Sequence, residues 1–176
     1  GGRIRQLEEE VLKLRAELGE INRLNAELQK KNDSLESTFK RNPEIAFYQT
    51  VADPDLPSEL PRAVAYVSPN FQTLTGIPNT LDPEVWVACV HPDDIDKIIK
   101  GNQKAIKTGL FDEVFRIFHG ERNEWRWFKV TSADTEETEG TVKVFNGVIL
   151  DVTELKRAEH LMLEYQRQLQ ALNQNQ

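Results

Sequence analysis

The sequence predicts an α+β domain, built on one five-stranded antiparallel sheet with short helices on one face and flanked by a helix at each end. Three observations predict it. All eight prolines fall between Pro43 and Pro92, so both ends are free to be helical. Two segments with strand character precede a helical stretch and three follow it. Charge divides the same way: residues 1–41 sum to +1, residues 42–153 to −8 and residues 154–176 to zero. The chain is therefore read as a coiled coil over 1–41, a globular domain over 42–153 and a C-terminal helix over 154–176.

Composition removes several classes. No apolar run approaches the roughly 18 to 20 residues of a membrane span and no secretory signal opens the chain, so a cytoplasmic protein is expected. The single cysteine, Cys89, excludes an internal disulfide framework and multi-cysteine metal sites. An acidic middle without a basic stripe argues against nucleic acid as a partner. Gly1 and Gly2 read as a remnant ahead of the helical pattern and stay outside the fold reasoning.

The first region carries an unbroken heptad. Ile4, Val11, Leu18, Asn25, Asn32 and Phe39 stand at a, and Leu7, Leu14, Ile21, Leu28 and Leu35 stand at d. Arg3 at g faces Glu8 at e of a parallel partner, Glu10 faces Arg15, and Lys31 faces Glu36. Asn25 and Asn32 pair across a two-fold axis and select a dimer in register. The alternative, an amphipathic helix packed on its own domain, needs a wider apolar stripe than a and d alone. A helix over 3–39 is about 55 Å long, more than the adjoining domain is wide, so a parallel homodimer is expected. Asn42-Pro43 ends it, because the residue before proline is pushed out of the helical region.

Ile45 to Val51 reads as a strand, Asp53 to Pro61 as a proline-marked loop, and Ala63 to Val67 as a second strand. Short helices follow at 69–75 and 83–90. From Pro92 to Lys107, Ile95, Ile98, Ile99, Ala105 and Ile106 suit one helix, with Pro92 at its first position, Asp93 and Asp94 complementing its dipole, and Gly109 ending it. Strands are expected at 111–118, 124–133 and 141–151, with turns at Gly120 and from Glu136 to Gly140. Phe115, Ile117, Phe128, Val130, Phe145, Gly147 and Ile149 share one face of these strands. Val114, Trp127, Val148 and Leu150 lie on the other. An antiparallel sheet normally leaves one face polar, so the second apolar face needs a cover from the flanking helices or another subunit.

Four motifs then bring the chain to a family. They are Val67-Ser68-Pro69-Asn70-Phe71 with Leu74-Thr75-Gly76, Trp86 with Val90-His91-Pro92-Asp93-Asp94, Trp125-Arg126-Trp127-Phe128, and Asn146 to Thr153. In this order and spacing, over residues 45–155, the sequence resembles a PAS domain, the sensor module of bacterial signalling proteins. The resemblance implies the five-stranded sheet, a cavity between sheet and helices, and a last strand that feeds a signalling helix through Asp151 and Thr153. It also departs from the family, with Gly120-Glu121-Arg122-Asn123 where an Asp-Gly turn is usual. From the residues alone, Thr153 is expected to be the N-cap of a helix starting at Glu154. In that helix Leu155, Ala158, Met162, Tyr165, Leu169 and Leu172 repeat at three and four. The pattern still runs at Gln176, so continuation into an output domain is expected.

The remaining chemical candidates have plainer readings. His91 is expected to serve the helix start at Pro92, since no second ligand stands at metal spacing, and no metal site is expected. Neither His119, placed at a turn, nor His160 has support as a haem ligand. The context Ala158-Glu159-His160-Leu161 is not that of a phosphoacceptor histidine. Cys89 lacks the Asn-Cys-Arg-Phe type motif that the family's flavin-binding light sensors resemble one another in carrying, and Ile149 stands where they have glutamine. A flavin acting through this cysteine is not expected, no cofactor is required, and Cys89 reads as a small buried apolar residue. Asp93 with Asp94, or Glu136 with Glu137, have no nucleophile or phosphate loop beside them, so no catalytic residue is assigned. The inward set Phe115, Ile117, Phe128, Val130, Phe145, Gly147 and Ile149 could line a pocket for a planar or hydrophobic ligand. It offers no convergent polar groups, so a filled or ligand-free core is expected.

The function expected is a non-catalytic sensory module of a two-component histidine kinase or a diguanylate cyclase. It dimerises and relays a signal through its flanking helices, by way of Asp151 and Thr153, to an output domain. A scaffold that binds a protein partner is the alternative, and a small α+β enzyme is a third reading.

Overall fold

A computed structural model describes residues 1–53, 63–139 and 142–175. It divides into two compact units, Gly1–Arg41 and Asn42–Gln176. The first is one helix, α1 (Gly2–Arg41), with no buried residue. Arg23 ties successive turns through Glu20 at 2.6 Å and Glu27 at 3.1 Å. Its heptad residues Ile4, Leu7, Val11, Leu14, Leu18, Ile21, Leu28 and Leu35 are between 46% and 65% exposed.

The second unit runs β1 (Ile45–Ala52), β2 (Ala63–Val67), α2 (Phe71–Thr75), α3 (Pro83–Ala88), a 3₁₀ turn (Pro92–Asp94), α4 (Ile95–Thr108), β3 (Leu110–His119), β4 (Glu124–Glu139), β5 (Val142–Asp151) and α5 (Thr153–Gln174). The strands form one sheet in the order β2-β1-β5-β4-β3, antiparallel at every pairing. Period-two alternation fixes which face each strand buries. Along β1 the buried residues are Ala46, Tyr48, Thr50 and Ala52. Phe115, Ile117, Phe128, Val130, Phe145 and Ile149 are all buried on the same inner face, under α2, α3 and α4.

The sequence motifs act as fasteners. Ser68 N–H donates to the Phe47 carbonyl at 2.8 Å, and its hydroxyl accepts from Phe47 N–H at 2.8 Å while donating to Asn70. The Asn70 amide in turn donates to the Ile45 carbonyl, so Ser68-Pro69-Asn70 pins the end of β2 to β1. His91 accepts from the Asp93 N–H through Nδ1 at 3.1 Å, the helix-start role expected for it. Gly109, at φ 78°, ends α4 as expected, donating to the Ala105 carbonyl.

Several expectations are corrected. Pro92–Asp94 is a 3₁₀ turn and the α-helix begins only at Ile95. Asp94, expected in the first turn, stands instead at the N-cap position of α4 without a side-chain bond to it, its carboxylate taken by Arg116. β4 continues to Glu139, with an irregularity between Asp134 and Thr138, where a turn from Glu136 was expected; Gly140 lies outside the described residues. Pro54, Asp55, Leu56, Pro57 and Pro61 of the expected loop lie outside them too. His119 ends β3 at the edge of the expected turn and is buried there, with Nε2 3.0 Å from the Thr73 carbonyl and Nδ1 accepting from Arg122 N–H. Thr153 is the first residue of α5 and not its N-cap, a position held by Val152 without a side-chain bond.

Candidate functional site

Inside the second unit, between the sheet's inner face and helices α3 and α4, lies a cavity of about 110 Å³. Phe115, Ile117, Val130, Phe145 and Ile149 line it, five of the seven residues expected there. Phe128 is fully buried but is not part of the wall. Gly147 is not part of it either, for a structural reason. In register, Tyr48 on β1, Gly147 on β5 and Ser132 on β4 stand side by side across three strands. A Cβ at Gly147 would overlap the Tyr48 ring, so the missing side chain lets that ring lie across β5 and reach Ser132.

Polar side chains also stand among the lining residues, outside the expected set. Tyr48, Thr50 and Ser132 line it from the sheet, and Asn102 from α4. Burial pushes the Tyr48 hydroxyl up to about 12, against a smaller opposing effect of its hydrogen bond with Ser132, so it stays neutral. Trp86 closes the wall from α3, stacked on Phe71 at 4.9 Å and edge-on to Tyr48 at 5.6 Å. Its indole Nε1 is buried and meets no acceptor. The signal for Ser132 was present in the sequence, since it continues the inward alternation of Phe128 and Val130 by one more step. Thr50 and Asn102 carried no such signal without the pairing of β1 and the seating of α4.

The second feature lies where β5 ends. The Asp151 carboxylate accepts from Thr153 N–H at 2.9 Å and from Arg126 Nε at 2.8 Å. Burial works against its charge, but the bonds from Thr153 and Arg126 outweigh it and hold the carboxyl below the usual range. The Thr153 hydroxyl accepts from Trp127 N–H at 2.9 Å. Arg126 also binds Glu124, which reaches Arg157 on α5 at 3.5 Å. The end of β5 and the first residue of α5 are thus tied to β4 at the two expected relay residues, Asp151 and Thr153. Beside it, on the outer face, Arg116 lies 4.9 Å over the Trp127 ring and Lys156 of α5 lies 5.6 Å from it. Arg116 is held in place by Asp94, which accepts from its Nε and Nη2 at 2.9 Å and from its backbone N–H at 2.8 Å. Those bonds hold the Asp94 carboxyl below its ordinary range. The expected outer-face residues Val114 and Leu150 are half-buried and Val148 is 40% exposed.

Among the described residues no three His, Cys, Asp or Glu side chains gather as metal ligands, and no helix is long and apolar enough to cross a membrane. The family model described as PAS fold matches residues 64–149, which hold the cavity wall except for its β1 residues and nearly all of β2, β3, β4 and β5. The chain carries a PAS domain. A second family model, described as IPGAL2 N-terminal domain, matches residues 3–39, which lie within α1. A curated relative, the methyl sulfide methyltransferase-associated sensor of Methanosarcina acetivorans, is 27% identical over 113 residues. That alignment covers 62% of this chain and 11% of the relative, so the chain spans about a tenth of the longer protein. Among solved structures, the sensory box histidine kinase/response regulator of Burkholderia thailandensis is similar at a TM-score of 0.56 and 19% identity, over 77% of this chain and 97% of that one. The N-terminal domain of a diguanylate cyclase with PAS/PAC sensor from Marinobacter aquaeolei matches at 0.51 and 17%, over 64% of this chain and 98% of that one. These likenesses establish the PAS fold.

Proposed function

We propose that this PAS chain is a cytoplasmic, non-catalytic regulatory module. It dimerises in parallel through α1 and passes a change at its sheet through Asp151 and Thr153 into α5. From there the change reaches an output domain, a histidine kinase or a diguanylate cyclase. The observation that carries the reading is the attachment of α5. Its first residue is hydrogen-bonded to the Trp127 backbone, and the preceding carboxylate is clamped by Arg126. Any shift of β4 against β5 therefore moves the start of the helix.

The helix itself is built to meet another chain. Beyond Thr153 it exposes Leu155, Met162, Tyr165, Leu169 and Leu172, each at least 46% accessible. Most of a helix's stability in a protein comes from packing an apolar face, so this exposed stripe gains by pairing. The exposed a and d stripe of α1 supports the same association.

Replacing Asp151 or Thr153 by Ala, in a protein that joins this chain to its output domain, is expected to uncouple output from input while the fold persists. Output activity with and without stimulus measures it, and unchanged regulation in both variants rejects the route. Sedimentation of the chain as a dimer, and of Leu14→Glu as a monomer, checks the association.

A further inference from the structure

The turn between β3 and β4 closes on a buried histidine whose two ring nitrogens are both engaged. Taking the sensor reading as its basis, we propose that His119 is a proton-operated latch. A proton taken up at Nδ1 releases the turn, and the release reaches α5 through Glu124.

The geometry allows the ring one form. His119 is 1% exposed. Its Nε2 lies 3.0 Å from the Thr73 carbonyl, which only accepts, and its Nδ1 lies 3.2 Å from the Arg122 N–H, which only donates. The hydrogen therefore sits on Nε2 and the ring is neutral. A second proton sets N–H against N–H at Arg122 and leaves a cation almost out of reach of water. The turn depends on the bond that is lost. Asn123, next to Arg122, is the one residue other than glycine with a positive φ among the described residues, at 52°. Such a conformation is uncommon and is held by its surroundings. On its other side the ring lies flush against Gly76, the cap of α2, where an added Cβ would stand 2.7 Å from its Cγ.

The ionisable groups on the neighbouring elements supply no ready counter-charge. Phe71–Thr75 of α2 contains none. The turn carries Glu121 and Arg122, both exposed, and the segment bonded to the edge of β3 carries Cys89 and His91. On β4 the cross-strand partner of His119 is Glu124, whose carboxylate is already bound by Arg126 and by Arg157 of α5. That pairing is also the way out of the latch. Glu124 follows Asn123 directly, so a turn that opens moves a carboxylate attached to the helix.

The test follows the 176-residue chain by nuclear magnetic resonance from about pH 8 to about pH 5, the range in which histidines change charge. His119→Gln is the control, since its amide can make both bonds and takes up no proton. His91→Gln and His160→Gln, introduced in both chains, remove the other two histidines. Ring nitrogen shifts are expected to show the Nε2–H form at the upper end. On acidification the Arg122 amide is expected to exchange about tenfold faster after correction for its intrinsic rate, the worth of one hydrogen bond. The amides of residues 154–157 shift with the same midpoint, while Val130 in the core stays protected. In His119→Gln none of these changes occurs. Should that variant fail to fold, the ring form and the shared midpoint of His119, Arg122 and α5 still decide. A ring that is charged or protonated on Nδ1 at pH 8, or an Arg122 amide unmoved at pH 5, overturns the proposal. So do unmoved amides in α5, the same response in His119→Gln, or joint loss of protection at Arg122 and Val130. The relay through Asp151 and Thr153 is read separately, from output at constant pH. Unchanged regulation in Asp151→Ala and Thr153→Ala rejects that route and leaves the titration of His119 where it is.

Discussion

The two faces of the sheet are made of the same alternating strands and hold themselves together by different means. The inner face is a wall of rings and branched chains, with Phe128 fully buried and Phe115, Ile117, Phe145 and Ile149 each at most 7% exposed. The outer face carries cations over an indole and hydrogen bonds to α5, most of them partly wet. Dispersion and burial on the inner side are non-directional, so a small change of shape is tolerated as long as the volume is filled. Bonds on the outer side are directional, so a small change of shape is felt at a distance of one strand. The relay proposed into α5 requires that asymmetry: a forgiving interior next to the cavity and a discriminating exterior next to the helix.

The comparison breaks most visibly if the inner face is emptied. Phe128→Ala removes a ring that has no solvent access and no share in the cavity, so the space it leaves cannot be relieved by the existing void. A loss of about 3–5 kcal/mol is expected in chemical denaturation, at the upper end of large-to-small core changes. Phe115→Ala, at the cavity wall, is expected to cost less, because its neighbours can relax into the adjoining void. Equal costs at the two positions in the same denaturation measurement would mean that the void gives no such relief.

The outer face is expected to break through Asp94. Its carboxylate side chain is 6% exposed, while that of Arg116 is 26% exposed. Removing one member of a buried pair leaves the other uncompensated, but Arg116 keeps some water and the Trp127 ring. Asp94→Asn is therefore expected to cost about 2–3 kcal/mol at neutral pH, below the full figure for a dry pair. The pH dependence separates this from a packing defect. Because the folded carboxyl lies below its unfolded value, the pair's contribution is complete above an unfolded pKa of about 3.9 and is lost as pH falls through the folded one. Denaturation across pH 5 to 2 should show the variant and the parent converging at the acid end. A constant gap would make Asp94 a matter of shape alone.

The inner face was legible in the sequence because burial leaves a period-two imprint on one strand at a time. Phe115 with Ile117, Phe128 with Val130, and Phe145 with Ile149 each announce their phase locally, and the sheet only adds them together. The outer face was not, since its contacts join residues far apart in the chain. Asp94 meets Arg116 because the segment from Cys89 to His91 runs along the edge of β3, exchanging backbone bonds with Arg116 and Phe118. No spacing in the sequence encodes that edge. In isolation Asp94 after Pro92 looks like a helix-dipole residue, and Thr153 before Glu154 looks like an N-cap. Both side chains were taken by a strand instead. Trp86 was visible as part of a motif, but its unused donor depends on which groups surround the ring, which only the packed fold decides.

The smallest expected effect is the most informative about the outer face. Lys156 lies over Trp127 from the first turn of α5 and also pairs with Glu159 at 3.5 Å within its own helix. Its side chain is 37% exposed, so each contact is weak: about 0.5 to 1 kcal/mol for an exposed cation over an indole, and less for a solvated pair three residues apart. Lys156→Met removes both contacts and Glu159→Gln removes only the second, so their difference isolates the ring contact. Lys156→Met is expected to cost about 0.5 kcal/mol more than Glu159→Gln, with a shift of the Trp127 indole resonance in the first variant alone. A relay must be cheap to disturb, because a ligand moves an equilibrium only by its difference in affinity for the two states. A contact of this size yields to the free energy of one hydrogen bond to a ligand. If Lys156→Met proved as damaging as Asp94→Asn, the outer face would be a second rigid core, and the helix could not respond to what happens in the cavity.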